Sequence, residues 1–233
     1  MSRVLVAGVY LAASENLADA AIAELSKSRR HQIEQRWIAI DESGSGRCDL
    51  PGTVAVVAER TPKFALLGDI VSDAGAFDYL VVCDDDVGLP AGFLDDFIAL
   101  AERFEFALAQ PARTLSSYVD HAITRQAPGL LARATRFVEI GPVFAANAAA
   151  MRLILPFDAR TPMGWGLDFV WPLLIEREGL RMGIVDATPV DHSFRPPVAN
   201  YVHAEADAQQ KALLAKVDHL DKHDAFTVTD AYA

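Results

Sequence analysis

The sequence predicts an α/β domain with a mostly parallel central sheet flanked by helices, and three observations carry that prediction. Short apolar, β-branched runs alternate with segments of helical period through the N-terminal half. Gly, Pro, Ser and Asp punctuate the joins, as strand-to-helix turns require. One buried run, residues 79–83, passes straight into three aspartates. Such a strand end is where open α/β sheets gather polar groups. At 233 residues the chain fits one domain with room for a sizeable core.

Taken in order, residues 3–10 read as the first buried strand. Ser14 is placed to cap the next helix, with Leu17, Ala21, Ile22 and Leu25 on one face. Residues 37–40 form a second strand ending at Asp41, and 42–47 a flexible loop. Residues 53–58 are a third strand, and Pro62-Lys63 opens a helix to about Ser72. After strand 79–83, Pro90 starts a helix carrying Phe93, Leu94, Phe97, Ile98 and Leu100. Further apolar runs fall at 106–109, 137–145 and 182–185, and the weak pattern across 116–136 predicts an irregular excursion. Residues 1–200 are assigned to the domain and 201–233 to a C-terminal helical tail. The tail is polar and reads as a solvated surface, while its thin stripe of Leu213, Leu214, Val217 and Leu220 alternatively suits homodimer contact or closure over the acceptor.

Hydrophobic residues make up 52% of the chain, but in short runs. None approaches the roughly 20 apolar residues of a membrane-spanning helix, and the N-terminus reads as a strand rather than a signal peptide. A cytoplasmic location is expected. With 21 basic and 32 acidic residues the net charge is −11, which argues against nucleic-acid binding. Cys48 and Cys83 lack zinc or redox spacing, and Cys83 reads as a small core residue.

Asp84-Asp85-Asp86 is the first candidate site. Three adjacent carboxylates repel unless a cation, a basic side chain or water relieves them. Asp84 and Asp86 can turn toward one point, and their oxygens suit magnesium or manganese with positions left for phosphate. A turn and helix-capping cluster is the other reading, since Gly88-Leu89-Pro90 completes an ordinary strand-to-helix loop. The second candidate is Met163-Gly164-Trp165-Gly166-Leu167-Asp168. Its glycines let the backbone turn sharply and approach a ligand. Asp168 falls in the first turn of a helix that Gly179 ends. It serves there either as a dipole-stabilising acid or as a general base, with Trp165 a flat platform for a sugar. His192 reads as structural or as a metal ligand, and Arg195 as a partner for phosphate or for an acid.

These pieces, in order with Ala109-Gln110-Pro111, Val138-Glu139-Ile140-Gly141-Pro142-Val143-Phe144 and Val185-Asp186, resemble a family. It is a domain-of-unknown-function family of plants and bacteria that looks like GT-A glycosyltransferases. The matching stretch runs from about residue 63 to 192. The resemblance implies a single GT-A-like, Rossmann-like domain. Asp84 and Asp86 match the Asp-x-Asp motif that holds Mn2+ or Mg2+ directly or through water. Asp85 lies where such enzymes touch ribose or sugar. Asp168 matches the base of inverting members, and His192 the late histidine that adds a metal ligand. The donor and acceptor do not carry over.

By position, Ala7, Gly8, Val9, Asp41 and Lys63 join Asp84, Asp85, Trp165 and Gly166 as candidate donor contacts. Lys63 equally fits a solvated helix start. No G-x-G-x-x-G, P-loop or G-x-S-x-G is present. The expected activity is metal-dependent transfer from a nucleotide-diphospho-sugar to the hydroxyl of a glycan or other acceptor. A non-catalytic nucleotide-sugar or glycan-binding protein and a metal-dependent nucleotidyltransferase are the alternatives.

Overall fold

The computed structural model describes residues 1–195 and 203–233. The first half builds β1 (Ser2–Leu11), α1 (Ala18–Leu25), β2 (His31–Ile40), β3 (Thr53–Val57), α2 (Lys63–Ile70), β4 (Tyr79–Asp84) and α3 (Phe93–Arg103). β1 pairs in parallel with β2 and β4, and β2 with β3. Strands covered on both faces read as continuous apolar runs. Accordingly Val4, Leu5, Val6 and Ala7 of β1, and Leu80, Val81, Val82 and Cys83 of β4, are fully buried. Val4 and Val6 join the core formed with α1 and α3, while Leu5 and Ala7 join that formed with α2.

The second half adds β5 (Phe106–Arg113), β6 (Ala132–Thr135), β7 (Val143–Asn147), α4 (Ala148–Ile154), α5 (Leu167–Arg177) and β8 (Arg181–Val190). After the undescribed residues come α6 (His203–Leu214), α7 (Lys222–Ala225) and β9 (Val228–Tyr232). The sheet order is β3-β2-β1-β4-β7-β5-β8-β6-β9. β7 runs antiparallel between β4 and β5, and β6 antiparallel between β8 and β9. Only β5 and β8 pair in parallel there. The expected mostly parallel sheet is therefore corrected to a mixed one, antiparallel ladders dominating beyond β4. β6 and β7 enter from loops, without the crossover helix that parallel neighbours need.

Some local expectations shift as well. Ser14 does not cap α1; the helix begins at Ala18, whose N–H donates to Asn16 Oδ1 at 3.1 Å. β2 starts six residues earlier than expected, at His31 rather than Trp37. The tail carries α6 and α7 but ends in β9, which pairs with β6. Among the described residues no helix is long and apolar enough to cross a membrane.

Candidate active site

Asp84, Asp85 and Asp86 emerge at the carboxyl end of β4, beside the end of β1. Each is held differently. Asp84 N–H donates to Pro142 O at 2.8 Å, and its Oδ1 pairs with Lys63 Nζ. A Cβ on Gly141 would stand 3.0 Å from Asp84 Oδ2 and 3.4 Å from Lys63 Nζ, so glycine leaves room for that pair. Asp85 is buried; its Oδ2 accepts Leu11 N–H at 2.9 Å and its Oδ1 takes Arg195. Burial pushes its pKa up to about 6 against the pull of Arg195. Asp86 Oδ1 lies 3.3 Å from His192 Nε2, and Oδ2 lies 3.2 Å from Arg195 Nη2. Burial works against its charge, but His192 and Arg195 together hold its pKa down to about 2.

His192 reaches the triplet because the chain after β8 is bonded to the chain after β4. Gly88 and Asp191 exchange backbone hydrogen bonds of 2.7 and 3.0 Å. His192 N–H donates to Ser117 Oγ at 2.8 Å, and Tyr118 N–H to His192 O at 3.1 Å. Beside the triplet opens a cavity of about 380 Å³. Its walls include Val9, Tyr10, Leu11, Arg60, Lys63, Met163, Arg195 and, from α6, Glu205 and Gln209. Basic side chains thus converge on an acidic strand end in a chain that is acidic throughout.

Not every expected residue reaches this cavity. Val9 lines it, but Ala7 and Gly8 stand behind it in β1. Gly8 serves packing: a Cβ there would meet the Trp37 ring at 2.2 Å and Cys83 O at 2.8 Å. Asp41 is absent from the wall, although Ile40 and Glu42 line it. Its carboxylate accepts Ser43 Oγ at 2.8 Å and Gly46 N–H at 2.9 Å, shaping the loop that follows. Trp165 and Gly166 lie under α6, away from the wall. The indole meets His203 edge-on at 5.5 Å, and Gly166, with φ +93°, faces Gln210, Leu213 and Leu214.

Asp168 is also off the wall and buried, and its Oδ1 has no hydrogen-bond partner among the described residues. Burial pushes its pKa up to about 7. Asp84 does not join Asp86 and His192 in a set of ligand atoms all within 4.8 Å of one another. Lys63 engages it instead, and of the three residues expected to hold a metal Asp86 and His192 are the two that meet. That pair fits a magnesium- or manganese-like cation, which takes one or two protein carboxylates and fills its other positions with water or phosphate. Asp221, His223 and Asp224 do cluster, but they are exposed, and Asp221 caps α7.

Two buried charged residues near the site had no role assigned from sequence. Arg113, at the end of β5, is only 2% exposed. Its guanidinium donates to Tyr118 O at 2.8 Å, Glu139 Oε2 at 2.5 Å and Gly141 O at 3.2 Å. Tyr118 is bonded to His192, and Gly141-Pro142 to Asp84, so one buried ion pair braces both sides of the site. The available signal was a charge ending or interrupting an apolar run, at 106–113 and 137–145.

No protein-family model and no curated protein matches this sequence. The fold does match solved structures. GalNAc-T7 with UDP, GalNAc and Mn2+ aligns at TM-score 0.56 and 12% identity, over 84% of this chain and 44% of that one. This chain therefore spans less than half of the GalNAc-T7 chain. S. aureus TarS 1-349 with UDP-GlcNAc aligns at 0.55 and 11%, covering 96% and 69%. A mycobacterial protein aligns at 0.53 and 17%, covering 95% and 76%. The fold is thus GT-A glycosyltransferase-like.

Proposed function

We propose that this chain is a glycosyltransferase that uses a nucleotide-diphospho-sugar donor. The observation that supports it most is the cavity at the strand ends, where Lys63 and Arg195 stand among the triplet carboxylates. Structural neighbours that hold UDP with Mn2+, or UDP-GlcNAc, support the donor class.

In this reading Lys63, Arg195 and Arg60 supply positive charge for the diphosphate, while Val9, Tyr10 and Leu11 wall the nucleotide. Asp86 and His192 would hold the cation, Mn2+ or Mg2+, whose chemistry is neutralisation of charge on the leaving diphosphate. Asp168 takes the proton of an acceptor hydroxyl as its oxygen bonds to the anomeric carbon. The bond from that carbon to the diphosphate oxygen breaks, and its electron pair leaves with the diphosphate. A pKa near 7 and an unused carboxylate oxygen suit a base at neutral pH. Asp168 acts on the charge of Glu139, whose partner Arg113 bonds Tyr118 O, so in this reading the acceptor hydroxyl enters from the Tyr118 side.

Thermal stabilisation by a panel of nucleotide sugars, with and without manganese, tests the donor class. Asp86→Ala and His192→Ala should abolish manganese-dependent UDP affinity. Unchanged affinity in both variants by calorimetry removes the metal from the proposal. Pyrophosphate released from a nucleoside triphosphate would point to a nucleotidyltransferase instead.

A further inference from the structure

Three large apolar side chains stand exposed on the two segments that meet at His192. Leu115 is 61% exposed, Tyr118 42% and Phe194 40%. Leu115 and Tyr118 follow β5, Phe194 follows β8, and the two segments are laced together. Thr114 N–H donates to Val190 O at 2.9 Å, in addition to the Ser117 and Tyr118 bonds to His192. From beneath, Arg113 donates to Tyr118 O. Both backbone polar groups of Tyr118 are therefore engaged, which mounts an exposed ring on a fixed base. A side chain on a fixed backbone has less freedom to lose when it meets a ligand. Burial on folding does not explain these side chains, and exposed apolar groups on joined segments point to a binding surface.

We propose that Leu115, Tyr118 and Phe194 form the acceptor subsite and that it takes a sugar ring, an inference that rests on the transferase function proposed above. Position argues for the acceptor. The cavity assigned to the donor lies on the β1 and α2 side of the triplet, whereas these residues lie past His192 and none lines that cavity. Chemistry argues for a sugar. Thr114, Ser116, Asp120, Asp191 and Ser193 intersperse hydroxyls and carboxylates among the apolar groups. A pyranose offers an apolar C–H face ringed by hydroxyls, which an aromatic platform with nearby hydrogen-bonding groups matches. A lipid surface calls for broad apolar area and basic residues. Here the charged neighbours of the patch, Asp120, Asp191 and Arg195, form no basic cluster, in a chain of net charge −11.

Saturation-transfer NMR with a panel of methyl glucosides, galactosides and N-acetylglucosaminides tests this without a donor. At least one glycoside should receive saturation at its ring C–H protons. The signal should fall roughly fivefold in the Tyr118→Ala/Phe194→Ala double variant and persist in Tyr118→Phe. UDP-sugar affinity should be the same in all three proteins, which also reports that the double variant is folded. No transfer in the wild type, equal transfer in the double variant, or binding of octanol in place of every glycoside overturns the subsite while leaving donor binding intact. A wild type that binds glycosides but no nucleotide sugar overturns the transferase function and the acceptor role together, and leaves the ring contact standing.

Discussion

Replacing Arg113 with leucine would remove the strut beneath the site. Three hydrogen bonds disappear, to Tyr118, Glu139 and Gly141, and the Glu139 carboxyl, 6% exposed, loses its counter-ion. Breaking a buried ion pair by deleting one partner costs about 3–5 kcal/mol. At about 2–4 °C per kcal/mol for a chain of this size, Tm should drop by roughly 6–20 °C. The loss depends on pH. Burial already pushes the Glu139 pKa up to about 8, with Arg113 pulling it back and Asp168 adding to the rise. Without Arg113 it moves higher, so the carboxyl is neutral over more of the pH range. A carboxyl whose folded pKa exceeds its free value destabilises the fold as pH climbs from the free value to the folded one. Both folded forms keep the proton below about pH 8, so the Arg113→Leu penalty should be smaller at pH 7 than at pH 9.5, and adding Glu139→Gln should recover part of it. Urea unfolding followed by circular dichroism at both pH values measures this. A penalty under about 1 kcal/mol, or one equal at the two pH values, would refute a buried ion pair as the brace.

The other expectations are narrower. Asp168→Asn should lower turnover by ~10²–10⁴ while sparing donor affinity; wild-type turnover in that variant removes Asp168 as base. Because burial raises the Asp168 pKa to about 7, wild-type kcat/KM should climb with pH through that value, and a flat profile counts against it. Gly8→Ala should cost about 1–3 kcal/mol in urea unfolding, since the new methyl meets Trp37 at 2.2 Å with no cavity to take it; a neutral result would mean β1 and β2 can part there. Gly141→Ala puts a methyl 3.0 Å from Asp84 Oδ2, so it should weaken UDP binding with little change in Tm. Equal UDP affinity would show that the Lys63–Asp84 pair tolerates displacement.

Much of this architecture was legible in one dimension, because the relevant signals are local. β1 and β4 are unbroken apolar runs since both faces are covered, and period alone reports that. The triplet was findable because three like charges directly after a buried strand are costly without relief. The two glycines around Trp165 do adopt positive φ, +84° and +93°, as a sharp turn demands. Strand direction was not legible. Periodicity is the same read either way, and what decides direction is which connection carries a crossover helix.

The separation of site residues likewise belonged to tertiary structure. Gly8 and Asp41 looked like ligand contacts, yet the indole of Trp37 fills the space beside one and a local turn consumes the carboxylate of the other. Nothing near residue 84 in sequence says that Lys63 will pair with it, nor that Arg195 will span Asp85 and Asp86. Arg113 and Glu139 meet only once β5 and the chain entering β7 are folded together. Buried segments and unrelieved charge can be read from residue order, because apolar runs and like-charge repulsion involve neighbours along the chain. Which basic group relieves each aspartate, and which segment is bonded to His192, follows from contacts between residues far apart in the chain.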